Sequence, residues 1–260
     1  MDIPGVGEIK SLILDMDGVL WRENSPIGDL PRTFKRFDEL GLKVVLATNN
    51  GTRTPEQYME KMAGFGVILR KDQIINSAMA LVYLLKRRFP NGGPVYTLGE
   101  IGLTTALEEA GFHQKESDVL AVIGGMDRSI DFWKLKKATL LIRAGAPFYF
   151  TNPDRTYPTP EGLIPGAGSI LAALETATDV KAIIAGKPSP ALYEFALERL
   201  GTLPGVTLVV GDRLETDILG AQNLTCKTAA VLSGVMTESE AKAWQPSFDL
   251  ILPELSDLVN

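Results

Sequence analysis

The sequence predicts an α/β fold with a mostly parallel sheet, organised as a core domain with a second domain inserted into it. Three observations support this. Short β-type runs alternate with helical stretches from end to end. The 260 residues, 45% of them hydrophobic, supply enough apolar material for one large domain or a core carrying a smaller one. A first α/β rhythm breaks off near residue 77, a second series runs over 78–184, and the first resumes at 185. The expected domains are therefore 1–77 with 185–260, and 78–184.

The elements follow in order. Ser11-Leu12-Ile13-Leu14 is a buried-strand run that ends in the acidic turn Asp15-Met16-Asp17-Gly18. Residues 31–40 read as a helix closed by Gly41, residues 42–47 as the next strand, and Thr48-Asn49-Asn50-Gly51 as the loop after it. Thr54 caps a further helix with Pro55 at its first position. In the inserted series the candidate strands are 95–98, 119–123 and 148–150, with helices over 104–110 and 129–144. The Pro- and Gly-rich stretch 152–168 reads as a long ordered loop. Beyond it, Ser189 and Pro190 open a helix whose buried face is Leu192, Phe195, Ala196 and Leu200. A strand at 207–210, the turn Gly211-Asp212, a helix from 216 and strands at 228–232 and 250–252 complete the chain.

Composition removes several chemistries. A net charge of −6 offers nothing to nucleic acid or an anionic membrane surface. The apolar runs fall short of a bilayer span, and the first residues lack the features of a signal peptide. One cysteine, Cys226, allows no internal disulfide, and a cytoplasmic location fits best. The single histidine, His113, sits in a turn-like context and is expected on the surface, so a paired-histidine site cannot be built. Carboxylates and lysine must carry any chemistry.

Parallel sheets bind ligands at the carboxyl ends of their strands. Four polar groups stand at such ends or just before a helix: Asp15 with Asp17, Thr48 with Asn49, Lys187, and Asp212 with Asp217. Singly each has an ordinary alternative: a turn, a helix cap or a solvated lysine. Jointly they form a chemically complete set. Asp15 and Asp17 point to the same side of an extended chain, so one can attack while the other exchanges a proton with a leaving group. A carboxylate nears a phosphate dianion only with help, because unit charges about 4 Å apart repel by roughly 4 kcal/mol at an effective dielectric near 20. Magnesium, held by one or two carboxylates, suits Asp15 with Asp212. Lys187 adds a fixed positive charge, and Thr48 and Asn49 add donors for phosphoryl oxygens. Two lookalikes fail: Ala185-Gly186-Lys187-Pro188 has proline where a Walker loop has Ser or Thr, and Gly166-Ala167-Gly168 lacks the third glycine of a dinucleotide fingerprint.

In order along the chain, Asp15-Met16-Asp17-Gly18-Val19-Leu20, Thr48-Asn49, Lys187-Pro188 and 211–217 resemble the four motifs of the haloacid dehalogenase superfamily. The second aspartate resembles its phosphatase branch. The insertion, with Gly124-Gly125-Met126-Asp127 and Thr151-Asn152-Pro153-Asp154, resembles the NagD-like or p-nitrophenylphosphatase branch. The resemblance implies a Rossmann-like three-layer core plus an inserted α/β cap. It implies Asp15 as nucleophile and magnesium ligand, and Asp17 as general acid then base that also offers its carbonyl to the metal. Asp212 would be the acidic metal ligand and Asp217 an outer-shell partner that could pair with Lys187. Thr48 and Lys187, with Asn49, Asn50 and Gly51 beside them, would hold the phosphoryl group of a small phosphorylated metabolite. The cap would act as a lid, with Asp154 and Tyr157 as candidates for leaving-group recognition and with a homodimer formed through it. Tyr157 can equally be a packed loop aromatic, and its presence where a pyridoxal-phosphate phosphatase would carry histidine argues against that substrate. Trp133 reads as a core or dimer contact rather than a substrate contact. The competing functions are a phosphoryl-transferring mutase and a non-enzymatic phospho-accepting receiver, the latter disfavoured by length and by the insertion.

Overall fold

The computed structural model describes residues 1–159 and 161–259; Pro160, within the stretch expected as a loop, and the terminal Asn260 lie outside them. The chain divides into two compact units, one of Met1–Thr48, Glu56–Ile75 and Lys187–Asn260, the other of Asn49–Pro55 and Asn76–Gly186. Each has its own parallel sheet, as the alternating pattern predicts.

The first unit is organised by a six-stranded sheet in the order Leu250–Leu252, Lys227–Val231, Thr207–Gly211, Ser11–Leu14, Lys43–Thr48, Ile74–Asn76. The first five strands pair in parallel. Ser11–Leu14 is central and buried along its whole length, which is why it reads as an unbroken apolar run rather than an alternating one. Its Leu12 and Leu14 share one hydrophobic cluster with Leu46, Leu208, Val210, Phe37, Trp21 and Tyr58. The helix Leu30–Glu39 begins at Asp29, whose carboxylate accepts from the Arg32 amide at 3.1 Å, and ends before Gly41 at φ +68°. Helices Pro55–Gly64 and Pro190–Leu200 stand where Pro55 and Pro190 predict them. Ser189 occupies the N-cap of the second, but its side chain makes no capping hydrogen bond. The strand Thr207–Gly211 leads into a π-helical turn, Leu214–Ile218, before a short α-helix, Leu219–Asn223, where the sequence expectation is a helix from 216. Arg213 explains the difference, because its carbonyl accepts from both the Asp217 and Ile218 amides and widens the turn.

The second unit has a five-stranded sheet in the order Ile183–Ile184, Phe148–Phe150, Val122–Gly124, Gly93–Leu98, Phe112–Gln114, parallel throughout. Its helices include Ser77–Arg88, capped by Asn76 on the Met79 amide, and Phe132–Arg143, capped by Asp131 on the Lys134 amide. The expected loop 152–168 is instead an antiparallel hairpin, Thr156–Thr159 with Gly162–Pro165, followed directly by a helix, Ala167–Thr178. Gly166 and Gly168 allow close approach, since a Cβ on Gly168 would lie 2.3 Å from the Pro153 carbonyl oxygen, whereas Gly162 takes a φ of +126°. His113 is exposed as expected, though in a short strand rather than a turn. Trp133 is 68% exposed, which removes it from the core. No helix among the described residues is long and apolar enough to cross a membrane.

Candidate active site

Three neighbouring strands of the first unit deliver Asp15, Asp212 and Thr48, and the turn after the strand Thr207–Gly211 adds Asp217. In the parallel register Val210, Leu14 and Leu46 lie abreast, so Asp15 and Asp212 follow one and two residues beyond that line and Thr48 closes the third strand. The Asp15 amide is tied to the Val210 carbonyl at 2.9 Å, continuing the ladder past the last strand residue. One carboxylate oxygen from each of Asp15, Asp212 and Asp217 falls within 4.8 Å of the others. Opposite ligands of an octahedral magnesium lie about 4.2 Å apart, so this spacing suits a shared small cation.

Lys187 is threaded through the cluster. Its ammonium, almost fully buried, donates to Asp15 Oδ1 at 2.5 Å and to Asp217 Oδ1 at 2.7 Å. The second oxygen of Asp217 accepts from the Arg213 amide at 3.1 Å, so both its oxygens are engaged. The wide turn that carries it is pinned by the buried Tyr193, whose hydroxyl donates to the Thr216 and Asp217 carbonyls at 3.1 and 2.9 Å. Asp217 also lies flush on the chain, since a Cβ on Gly211 would come within 2.2 Å of its own Cβ.

Asp212 differs. Its Oδ2 accepts from the Val235 amide at 2.9 Å, while its Oδ1 is buried without a hydrogen-bond partner in the structure. A buried, unpaired carboxylate oxygen is costly and demands an explanation. The carboxylate is sandwiched between two glycines: a Cβ on Gly18 would sit 2.4 Å from Asp212 Oδ2, and one on Gly234 only 1.9 Å from it. Ser233 fastens the loop by donating to the Gly18 carbonyl at 2.7 Å, and Arg22 Nε donates to the Ser233 carbonyl at 2.6 Å. None of Ser233, Gly234 and Val235 stands among the sequence-predicted site residues. Their signal was available, because they directly follow a predicted strand at its carboxyl end.

With all three carboxylates ionised, the one ammonium would leave the cluster at a formal charge of −2. Burial, with Asp217 beside it, raises the Asp212 carboxyl to about 6 against the pull of the Val235 amide. Burial, opposed by Lys187 and assisted by Asp217 and Asp212, pushes Asp15 well above the ordinary carboxylate range. For Lys187 burial acts downward, but the carboxylates of Asp15 and Asp217 overcome it and hold the ammonium charged. A divalent cation matches both the residual charge and the orphaned oxygen. The donors are hard oxygens suited to magnesium, with His113 exposed on the other unit and the Cys226 thiol pushed up to about 12 by burial.

Asp17 adds no side-chain oxygen to this cluster. It is exposed, and its Oδ1 accepts from the Trp21 indole Nε1 at 2.7 Å. In the second unit, Asn49 Nδ2 donates to Asp154 Oδ1 at 3.2 Å, and Asn50 Nδ2 reaches the Tyr157 hydroxyl at 3.5 Å, the outer limit of such a bond. Asn152 Nδ2 and Ser77 Oγ both donate to the Asn49 carbonyl. Gly51 packs against Ser77 and Ala78, where a Cβ would lie 2.9 Å from Ser77 Oγ.

A family model described as haloacid dehalogenase-like hydrolase matches residues 12–113, and an HAD-hydrolase-like model matches 184–258. The chain is 34% identical to phosphoglycolate phosphatase 1A of Arabidopsis thaliana, over 94% of this chain and 75% of that one. The chain belongs to the haloacid dehalogenase-like hydrolases. This hydrolase is also 35% identical to an acid sugar phosphatase of Staphylococcus aureus, over 88% of this chain and 89% of that one. Its fold is that of NagD from Escherichia coli K-12, at a TM-score of 0.90 and 31% identity over 96% and 98% of the two chains.

The cradle around Asp212 makes a sharp prediction for this hydrolase. Gly234→Ala forces the carboxylate to move, and the affinity of any divalent cation held by Asp212 is expected to fall about 10–100-fold, the usual cost of disturbing the support of a metal ligand. Calorimetric titration checks it, with thermal unfolding of the metal-free protein as the control for folding.

Proposed function

We propose that this hydrolase is a magnesium-dependent phosphatase of small phosphorylated metabolites, acting through an aspartyl-phosphate on Asp15. That it is an enzyme of the phosphatase class follows from its family and its named relatives. The metal and the covalent route rest on one observation: the buried oxygen of Asp212 without a partner, beside Asp15, in a cluster of three carboxyl groups and one ammonium. Asp15 and Asp212, with the Asp17 carbonyl, would hold the ion, while Asp217 is spent on Lys187 and the Arg213 amide. Bound there, magnesium supplies the positive charge that lets a carboxylate approach a phosphate dianion.

The remaining work belongs to the chain. Lys187 holds the Asp15 carboxylate in place and offers its ammonium to the phosphoryl oxygens, and Thr48 adds a hydroxyl from the neighbouring strand end. Asp15 attacks phosphorus as Asp17 gives a proton to the departing ester oxygen. Asp17 then takes a proton from the water that releases phosphate and restores Asp15. The unit that carries Asn49, Asn50, Gly51, Asp154 and Tyr157 serves as the cap, and the other unit as the catalytic core. Sugar phosphates and phosphoglycolate are the proposed substrate types by kinship with the named phosphatases, and p-nitrophenyl phosphate by likeness to the p-nitrophenyl phosphatase of Archaeoglobus fulgidus.

Turnover of these esters with magnesium, then with chelator, tests the proposal. A loss of at least about 100-fold on chelation is expected, and activity indifferent to chelation would refute it. A pH dependence follows as well. With its folded value near 6, Asp212 binds its proton more tightly in the folded chain than in the unfolded one. Protonation therefore stabilises the metal-free fold at low pH, and that contribution is lost as pH rises through 6. Magnesium competes with the same proton. Its affinity is expected to be about tenfold or more weaker at pH 5 than at pH 7, measured by calorimetry.

A further inference from the structure

We propose that Trp21 is a positioning residue for Asp17, holding one carboxylate oxygen so that the proton exchanged with the leaving group travels on the other; this rests on the role of Asp17 given above. Asp17 is exposed, and a short exposed aspartate ordinarily samples several rotamers. Trp21 removes that freedom. Its indole Nε1 donates to Asp17 Oδ1 at 2.7 Å, and the ring itself is 1% exposed, so the donor cannot follow solvent.

The local chain is built to deliver this contact. The Leu20 amide donates to the Met16 carbonyl at 2.8 Å and the Gly18 amide to the Trp21 carbonyl at 2.8 Å, closing a tight turn that brings residue 21 back to residue 17. Trp21 then starts a two-residue ribbon, Trp21–Arg22 with Ser25–Pro26, which fixes the backbone beyond it. The Phe65 and Trp21 ring centroids are 6.0 Å apart, and Lys61 Nζ stands 4.0 Å from the Trp21 ring centroid while donating to the Glu23 carbonyl at 2.7 Å. A cation over the face draws density from the indole and strengthens its N–H as a donor.

The consequence is stereochemical. An indole nitrogen only donates, and in a carboxylic acid the carbonyl oxygen is the better acceptor, so the oxygen that Trp21 holds takes the carbonyl role. The hydrogen of protonated Asp17 therefore sits on Oδ2. In the first half-reaction the Asp15–phosphorus bond forms, the ester P–O bond breaks, and the Oδ2 proton passes to the departing oxygen. In the second, water adds to phosphorus, the Asp15–phosphorus bond breaks, and Oδ2 regains a proton from that water.

A leaving-group comparison separates this from mere packing. An alkyl phosphate needs its departing oxygen protonated, whereas p-nitrophenolate departs largely unaided. Two changes at position 21 are measured: Trp21→Phe, and replacement by 3-benzothienylalanine, which keeps the ring shape and puts sulfur where the N–H was. In both, kcat/KM for glycerol phosphate is expected to fall about tenfold or more, and that for p-nitrophenyl phosphate by less than about threefold. Phe65→Leu loosens the same packing and keeps the N–H, and it should show no such selectivity. Equal losses on both substrates, or no loss with the benzothiophene, would overturn the role of Trp21. Asp17→Asn is the reference: an unchanged alkyl-ester rate there refutes the acid role of Asp17, whereas a large loss there with none at position 21 refutes the Trp21 proposal alone.

Discussion

Asp15→Asn is expected to lower turnover by about 10⁴-fold or more, because it removes the oxygen proposed to attack phosphorus and leaves no substitute within the cluster. Asp212 is fixed by the Val235 amide and two glycines, and Asp217 is occupied by Lys187 and the Arg213 amide, so neither can swing into the role. The fold should tolerate the change. Lys187 keeps its ion pair with Asp217, and the site sheds one of the negative charges that burial makes costly. The expected signature is therefore near-total loss of activity with an unfolding temperature close to that of the parent. Steady-state rates and thermal unfolding measured on one preparation check both halves, and a residual activity of a few per cent would contradict the assignment.

Lys187→Met is expected to damage both activity and folding. The ammonium is the one cation that the described residues place inside the carboxylate cluster, within 2.7 Å of two of its members. Removing one partner of a buried ion pair costs about 3–5 kcal/mol, and here three carboxylates are left facing one another. The loss carries a pH signature. Asp15 and Asp212 already sit above the usual carboxylate range, and without Lys187 they rise further. Raised carboxyls stabilise the folded state while protonated and lose that contribution as pH rises, so the deficit should be largest above about pH 6 and shrink in acid. Magnesium should recover part of it by binding the folded state. Denaturant unfolding at pH 5 and pH 7.5, with and without the ion, reads all of this. For activity, loss of the charge proposed to face the phosphoryl group is expected to cost about 10²–10³-fold in kcat.

The architecture was legible in the sequence wherever a physical rule had one outcome. The run 11–14 could only be a strand buried on both faces, and Pro55 and Pro190 could only sit at helix starts. The carboxylates were legible because strand ends of a parallel sheet collect function, and Asp15, Asp212, Asp217 and Lys187 do meet there. The stretch 152–168 misled because glycine and proline signal a loop equally well as they signal a hairpin turn or a close crossing. The spacing of Ile170, Leu171 and Leu174 carried the helix that the glycines masked. The π-helical turn that presents Asp217 depends on one carbonyl shared by two amides, which no propensity encodes. The glycines beside Asp212 and the indole on Asp17 were hidden for another reason. Each works through a contact between segments whose meeting is known only once the turn or the loop is folded, although Gly18, Trp21 and Gly234 all lie beside elements that the sequence already marked.

The most direct test is to trap the phosphoryl group. The protein is mixed with substrate and magnesium, quenched in acid within a turnover and reduced with borohydride, which converts an aspartyl phosphate to homoserine. Peptide mass spectrometry should find homoserine at position 15 and nowhere else, with none in Asp15→Asn. Homoserine at another aspartate, or full turnover with no reduced residue at any quench time, would contradict a covalent route through Asp15.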